Sequence, residues 1–251
     1  HDKHGGICGG GYRVGGKIAQ NARGFAHTKP EYEISEFVIY WGTSPSNGGN
    51  PFQKQAKMLS YARGTRDDFS YAVVDPSVTN AVKYASSDKG RWIAIKPGTD
   101  SALAMAMMRW IIENEKYATN YLIQPNLDQA KLAGEIHWCN ATHLVITEKG
   151  HKDYGKFALI NNEWQVCSQD GKIQSYKVNE PAKLYYKGKI LIDGKKVEVK
   201  SSMQLLKESA YKHSLEEYSK ICGVSVEDII WLCENFTKNG RQVSTNVHGG
   251  M

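Results

Sequence analysis

An α/β fold built on a parallel sheet, with an antiparallel β-rich segment set into it, follows from two patterns in the chain. Three short apolar runs, Phe37-Val38-Ile39-Tyr40-Trp41, Tyr71-Ala72-Val73-Val74 and Trp92-Ile93-Ala94-Ile95, alternate with stretches of helical composition. That order is what a parallel sheet with right-handed crossovers produces. Between Cys139 and Lys200 the texture changes to short β-rich runs such as Leu144-Val145-Ile146 and Val197-Glu198-Val199. The dipeptides Asp170-Gly171 and Asp193-Gly194 part such runs and turn antiparallel hairpins.

Residues 1–31 are glycine-crowded from Gly5 to Gly16 and then polar, without periodicity, and are expected to be an irregular lead-in. The run ending at Trp41 is continuous rather than alternating, as in a strand buried on both faces. It stops at Gly42, and after a Ser/Asn/Pro/Gly loop Asn50-Pro51 suits the start of a helix through about Gly64. The second strand ends at Asp75-Pro76, and Val78–Ser86 can form a short helix. The third strand stops at Lys96-Pro97-Gly98, where Thr99 or Asp100 caps a helix over Ala102–Glu115. After the hairpins, helical periodicity returns over Met203–Lys238, with Ser214-Leu215-Glu216-Glu217 and Ser225-Val226-Glu227-Asp228 as capping starts. Gln242–Val247 adds a final strand.

Composition narrows the function. The 251 residues are 41% hydrophobic and 23% charged, ordinary globular values. No apolar run approaches the roughly 20 residues a bilayer span needs, and Arg109 interrupts the longest, Ala102–Ile112. A net charge of +6 suits an anionic ligand, and the lysines between Lys149 and Lys200 are mixed with acids, as on a solvated face; nucleic acid is not the expected partner. The cysteines, Cys8, Cys139, Cys167, Cys222 and Cys233, lie 131, 28, 55 and 11 positions apart, which is no spacing for a zinc ribbon or an iron–sulfur cage. The chain opens His1-Asp2-Lys3-His4, with neither Met nor a signal pattern, and is expected to be a piece of a longer protein.

Familiar catalytic motifs are missing. Gly11-Tyr12-Arg13-Val14-Gly15-Gly16-Lys17 has the glycine and lysine positions of a phosphate-binding loop, but Ile18 stands where a hydroxyl should hold magnesium. No Gly-x-Gly-x-x-Gly follows any strand, and the Gly-x-Ser-x-Gly and His-Glu-x-x-His patterns are absent. What remains is a set of three polar loops after three buried strands, the place where open α/β sheets bind ligands. Trp41-Gly42-Thr43-Ser44-Pro45 offers amides and hydroxyls that can hold phosphate, or is a plain turn before a helix. Asp75, with Pro76 and Thr79 after it, can accept from ribose hydroxyls or open a turn. Asp100, after Gly98-Thr99, can cap a helix or pair with the two adjacent N–H donors of guanine. Cys8 sits among Gly5, Gly6, Gly9, Gly10 and Gly11, where a bulky ligand can approach its sulfur, whereas the other cysteines read as packing residues.

Three motifs in this order, Trp41-Gly42-Thr43-Ser44-Pro45, Val74-Asp75-Pro76-Ser77-Val78-Thr79 and Ile95-Lys96-Pro97-Gly98-Thr99-Asp100-Ser101-Ala102-Leu103, resemble those of the molybdopterin oxidoreductase family. Tyr211–Ile230 is similar to its helix, Gly-Val turn, helix segment, and Gly249-Gly250 to its return toward a central domain. The resemblance implies a Rossmann-like parallel sheet with flanking helices, residues 32–251, that binds the guanosine end of a bis-molybdopterin guanine dinucleotide, with 139–200 as a β-rich insertion. It assigns Trp41, Gly42 and Ser44 to the phosphate and pterin side, Asp75 and Thr79 to the ribose, and Asp100 to guanine, with Thr43, Pro76 and Gly98 in the same cofactor-binding loops. Cys8 lies 33 positions before Trp41, where many members carry the protein ligand to molybdenum, and is thereby the implied metal-binding and catalytic residue. Ser44 stands where many members have Asn, and Ser77 where many have a basic residue.

The activity implied is reductive S–S cleavage of tetrathionate to thiosulfate in anaerobic respiration, with polysulfide, thiosulfate or arsenate reduction as alternatives. From another class, a non-redox guanine-nucleotide-binding module remains open. Also implied are a 4Fe-4S centre outside this chain, an iron–sulfur electron-transfer subunit, a membrane-anchor subunit, and twin-arginine export to the periplasm. No direct membrane insertion is expected. The isolated chain is expected to be inactive, with Arg13 and Lys17 drawing the anionic substrate toward Cys8 in the intact enzyme.

Overall fold

A computed structural model describes residues 31, 33–44, 52–79, 89–238, 240 and 242–247. The lead-in with Cys8, Arg13 and Lys17, the Pro45 to Pro51 loop, nearly all of the expected helix Val78–Ser86, and His248-Gly249-Gly250-Met251 lie outside the described residues. Two compact units emerge, one formed by the chain through Ile111 together with that from Ser214 onward, the other by Ile112–His213.

In chain order the first unit starts with β1 (Phe37–Trp41), α1 (Phe52–Thr65), β2 (Ser70–Val74), β3 (Gly90–Ile93) and α2 (Asp100–Glu113). The second unit holds α3 (Thr119–Leu122), α4 (Leu127–Leu132), β4 (Leu144–Ile146), β5 (Leu159–Ile160), β6 (Glu163–Cys167), β7 (Ile173–Ser175), β8 (Lys187–Ile192), β9 (Lys195–Ser201) and α5 (Ser202–Ala210). The chain then returns to the first unit with α6 (Leu215–Cys222), α7 (Val226–Lys238) and β10 (Val243–Val247). Unit two therefore takes in the 139–200 segment and extends beyond it on both sides.

The first unit is a four-stranded parallel sheet in the order β10-β1-β2-β3. Every residue of β1 is buried, which is why its sequence is continuously apolar instead of alternating. Phe37, Ile39 and Trp41 face one way, against Leu103, Ala106 and Met107 of α2 and Ile229, Leu232 and Cys233 of α7. Val38 and Tyr40 face the other way, with Tyr71 and Val73 of β2 and with Leu59 and Ala62 of α1. Each fully buried side chain of this size contributes about 1.5–3 kcal/mol of hydrophobic stabilisation, so the core sheet position of β1 follows from its composition.

Two elements differ from expectation in their bounds. The third strand runs Gly90–Ile93 and not Trp92–Ile95, because β2 turns away at Asp75-Pro76 after the last rung, Asp75 N–H to Ile93 O at 3.2 Å. Beyond it the backbone of Lys96 donates to Cys222 O at 2.8 Å, a partner outside the sheet. The α2 helix lies two residues earlier at both ends than the expected Ala102–Glu115, at Asp100–Glu113, and Glu115 has left the helix at φ 52°.

The three helices after Ser201 match the periodicity. Ser214 and Glu217 form the expected capping box, with Ser214 N–H donating to Glu217 Oε2 at 2.7 Å and Glu217 N–H to Ser214 Oγ at 3.2 Å. At the next start Asp228 N–H donates to Ser225 Oγ at 3.0 Å. The Arg91 guanidinium bonds Asp228 Oδ1 at 3.1 Å and lies 4.4 Å from the Trp231 ring centroid, tying β3 to α7.

The second unit contains two antiparallel sheets, β4-β9-β8 and β5-β6-β7. Asp193 and Gly194, at φ 49° and 75°, make the tight turn of the β8/β9 hairpin as read from the sequence. Asn161 and Asn162, at φ 53° and 59°, do the same for β5/β6. The exposed lysines are distributed among acids, as in Lys177–Glu163 at 2.8 Å, Lys172–Asp170 at 2.9 Å and Lys189–Glu198 at 3.4 Å, a solvated face of weak ion pairs.

Candidate functional site at the strand ends

Parallel register sets the strand ends level. Trp41 pairs with Val74, and Val74 with Ile93, so the residues that follow, Gly42, Asp75 and Ala94, emerge along one edge of the sheet. Gly42 N–H donates to Val74 O at 2.9 Å and fixes the first loop to the second strand. Gly42 is exposed, Thr43 buried, and the Ser44 hydroxyl oxygen is buried without a partner among the described residues.

The third loop is held from two sides. Gly98, at φ 75° in an open surrounding, gives the left-handed turn that reverses the chain before α2. Thr99 donates its hydroxyl to Lys96 O at 2.7 Å, and its carbonyl accepts from Ala102 N–H at 3.0 Å to begin the helix. From the far side, the α6 end anchors Lys96 through Cys222 O, and the α6/α7 turn is closed by Ser219 Oγ donating to Val224 O at 2.6 Å. The consequence is that Asp100 projects from a braced loop.

The structure brings two of the expected site residues into direct contact. Trp41 Nε1–H donates to Asp100 Oδ1 at 2.7 Å, joining the end of β1 to the first residue of α2. Asp100 is half-buried, and its Oδ2 has no partner among the described residues. Thr99 stands directly before the helix and its carbonyl takes the Leu103 N–H at 3.3 Å, but among the described residues neither its side chain nor that of Asp100 bonds a leading amide. Asp75 is placed differently. Its Oδ1 accepts from Ser77 N–H at 2.8 Å, closing a turn over Pro76, and its carbonyl accepts from Trp92 Nε1–H at 2.8 Å. Thr79 is half-buried at the end of that described stretch.

Sequence reasoning singled out each of these loops but not the pairing of Trp41 with Asp100. Nor did it include Cys222-Gly223 in the site, although a glycine directly after a helical run is a legible helix stop.

Burial makes Cys139, Cys167 and Cys233 poor nucleophiles. It raises the thiol pKa of Cys139 and Cys167, and pushes that of Cys233 up to about 12. Among the described residues no cluster of three or more His, Cys, Asp or Glu side chains could hold a metal ion. The strand ends thus present a polar ledge, with a carboxylate that has one open oxygen, and a hydroxyl and backbone groups on the neighbouring loop.

Residues 8–238 match the family described as molybdopterin oxidoreductase, and the chain belongs to it. Its relatives include a tetrathionate reductase subunit of Salmonella typhimurium, 40% identical over 99% of this chain and 25% of that protein. A selenate reductase subunit of Mesobacillus selenatarsenatis is 30% identical over 90% of this chain and 22% of that protein, and a sulfite dehydrogenase subunit of Allochromatium vinosum is 27% identical over the same share. The chain therefore spans about a quarter of the length of these relatives. Acetylene hydratase from Pelobacter acetylenicus superposes over 97% of this chain with a TM-score of 0.54 at 14% identity, a likeness of fold.

Membership implies a molybdenum–pterin cofactor. The residues present fit such a group: Asp100 Oδ2 and the buried Ser44 hydroxyl are both unpartnered among the described residues, and Gly98 leaves open space where a side chain would stand.

Proposed function

We propose that this chain is the part of a catalytic subunit that grips the guanylated tail of a molybdopterin guanine dinucleotide, in an enzyme that reduces tetrathionate. The observation that carries the reading is the open Asp100 carboxylate, tied by Trp41 to the loop that holds the unpartnered Ser44 hydroxyl. Asp100 takes the paired N–H donors of guanine. Gly42 and Ser44, with Trp41 and Thr43 in the same loop, attend the phosphate and pterin side. Asp75, Pro76 and Thr79 form the ribose side; the Asx turn through Ser77 holds the Asp75 carboxylate in place and leaves its second oxygen as acceptor.

When bound, the molybdenum–pterin group supplies two-electron redox chemistry, which the protein positions and tunes. Cys8 is the residue proposed to ligate the metal. Two electrons entering the central S–S bond of tetrathionate release two thiosulfates, and Arg13 and Lys17 are proposed to draw in the dianion. The electrons come through a 4Fe-4S centre elsewhere in the subunit from an iron–sulfur partner and a membrane-anchored one, with the enzyme exported to the periplasm. No helix among the described residues is long and apolar enough to cross a membrane.

The 40% identity to a tetrathionate reductase subunit supports this substrate, and the selenate and sulfite relatives set the controls. The full-length subunit, matured anaerobically and supplied with reduced viologen, is expected to reduce tetrathionate in preference to selenate, and a reversed preference overturns the assignment. The 251-residue chain alone is expected to be catalytically silent but to bind GMP in calorimetry. Asp100→Ala should weaken that binding at least tenfold, and an unchanged affinity would remove the guanine reading.

A further inference from the structure

The Trp41–Asp100 bond has properties that a simple tie between a strand and a helix does not require. At 2.7 Å between an indole N–H and a carboxylate it is a short, charge-assisted bond. The indole is 7% exposed and packed in the main core of its unit, so its ring has one orientation. A lone Asp at a helix start can swing about two side-chain torsions. Here one lone pair of Oδ1 is held by a donor that cannot move, which fixes the plane of the carboxylate. One lone pair on Oδ1 and both on Oδ2 remain.

We propose that Trp41 is a positioning residue: its indole N–H orients the Asp100 carboxylate so that the two oxygens meet N1–H and the 2-amino group of guanine together, and the site thereby rejects a purine lacking that amino group. This rests on the reading that Asp100 receives guanine. It moves Trp41 from the phosphate side of the site to the base side. Specificity for the base then depends on a residue that need not touch it.

The test is calorimetry of GMP and IMP against the 251-residue chain and its Trp41→Phe variant, with folding checked by circular dichroism. The unmodified chain should hold GMP about tenfold more tightly than IMP, the worth of one bond to a charged acceptor. In Trp41→Phe the carboxylate is free to turn, and the ratio should fall below about threefold. A chain that does not separate GMP from IMP defeats the guanine reading itself. If the unmodified chain separates them and folded Trp41→Phe does so equally well, guanine recognition stands and the positioning role is overturned.

Should Trp41→Phe fail to fold, Asp100→Asn decides. The indole can only donate, so it must take the amide oxygen and leave the NH2 group facing the base. Preference should then pass from GMP to XMP, whose 2-oxo group accepts. An Asp100→Asn chain that keeps its preference for GMP, or shows none, overturns the proposal.

Discussion

Gly223 links the helical half of the first unit to the loop that carries Asp100, and Gly223→Ala measures that link. The residue closes α6 at φ 72°, and its predecessor Cys222 accepts the Lys96 N–H at 2.8 Å. An L side chain in the left-handed region costs about 1–2 kcal/mol. Against this, alanine loses less unfolded-state freedom than glycine, which returns about 0.4–1 kcal/mol. The added methyl would stand 3.2 Å from Lys96 Cγ, a contact that the exposed lysine stem relieves by a small shift. The expected net loss is about 1 kcal/mol, which for a chain of this size lowers Tm by roughly 2–4 °C. Urea unfolding followed by fluorescence reads it directly. Lys96→Ala in the same background should recover only the small steric part, since the φ cost stays. A Gly223→Ala chain as stable as its parent, or full recovery by Lys96→Ala, would refute the backbone argument and leave a side-chain clash in its place.

Two other perturbations probe the units separately. Ser214→Ala removes one arm of the α6 capping box and should cost about 1 kcal/mol; a loss confined to urea unfolding of the second unit, as seen by hydrogen exchange, would contradict the assignment of that helix to the first. In the second unit His143 is 1% exposed, with its Nε2–H on Pro125 O at 2.9 Å and with Trp138, Phe157, Trp164 and Tyr176 rings around it. Burial lowers its pKa from the ordinary 6.5, so the fold keeps it neutral while the unfolded chain takes up a proton. Stability should accordingly fall as pH drops below about 6.5 and level off beneath the depressed native value. His143→Phe should flatten that slope between pH 7 and pH 5, and an equally steep slope in the variant would contradict it.

Much of this architecture was readable in the residues because the relevant physics is local. Continuous apolar runs at Phe37–Trp41 and Tyr71–Val74 announced buried strands, and Asp193-Gly194 announced its hairpin. The edges were less readable where a distant partner decides them. Trp92–Ile95 has the composition of a strand throughout, yet it leaves the sheet at Ile93 because its neighbour turns at Asp75-Pro76 and Cys222 takes the next amide. Nothing near Ile95 encodes Cys222.

The same division applies to the site. Trp41, Asp75 and Asp100 could be singled out by their positions after strands. That Trp41 and Asp100 would touch, and that Asp75 would close a turn on Ser77, depends on strand register and side-chain direction. His143 drew no notice in the sequence, since its aromatic surroundings come from residues 138, 157, 164 and 176, gathered by hairpin pairing. The ordered loop motifs were enough to suggest the family, and membership itself rests on the match across residues 8–238.

The central claim is that the ledge at Trp41, Ser44 and Asp100 receives a guanine nucleotide, and a crystal structure of the chain grown with GMP tests it most directly. The account requires the base edge within hydrogen-bond reach of both Asp100 oxygens while the Trp41 indole keeps its hold on Oδ1. GMP bound at any other face, with the Asp100 carboxylate still open, would contradict it.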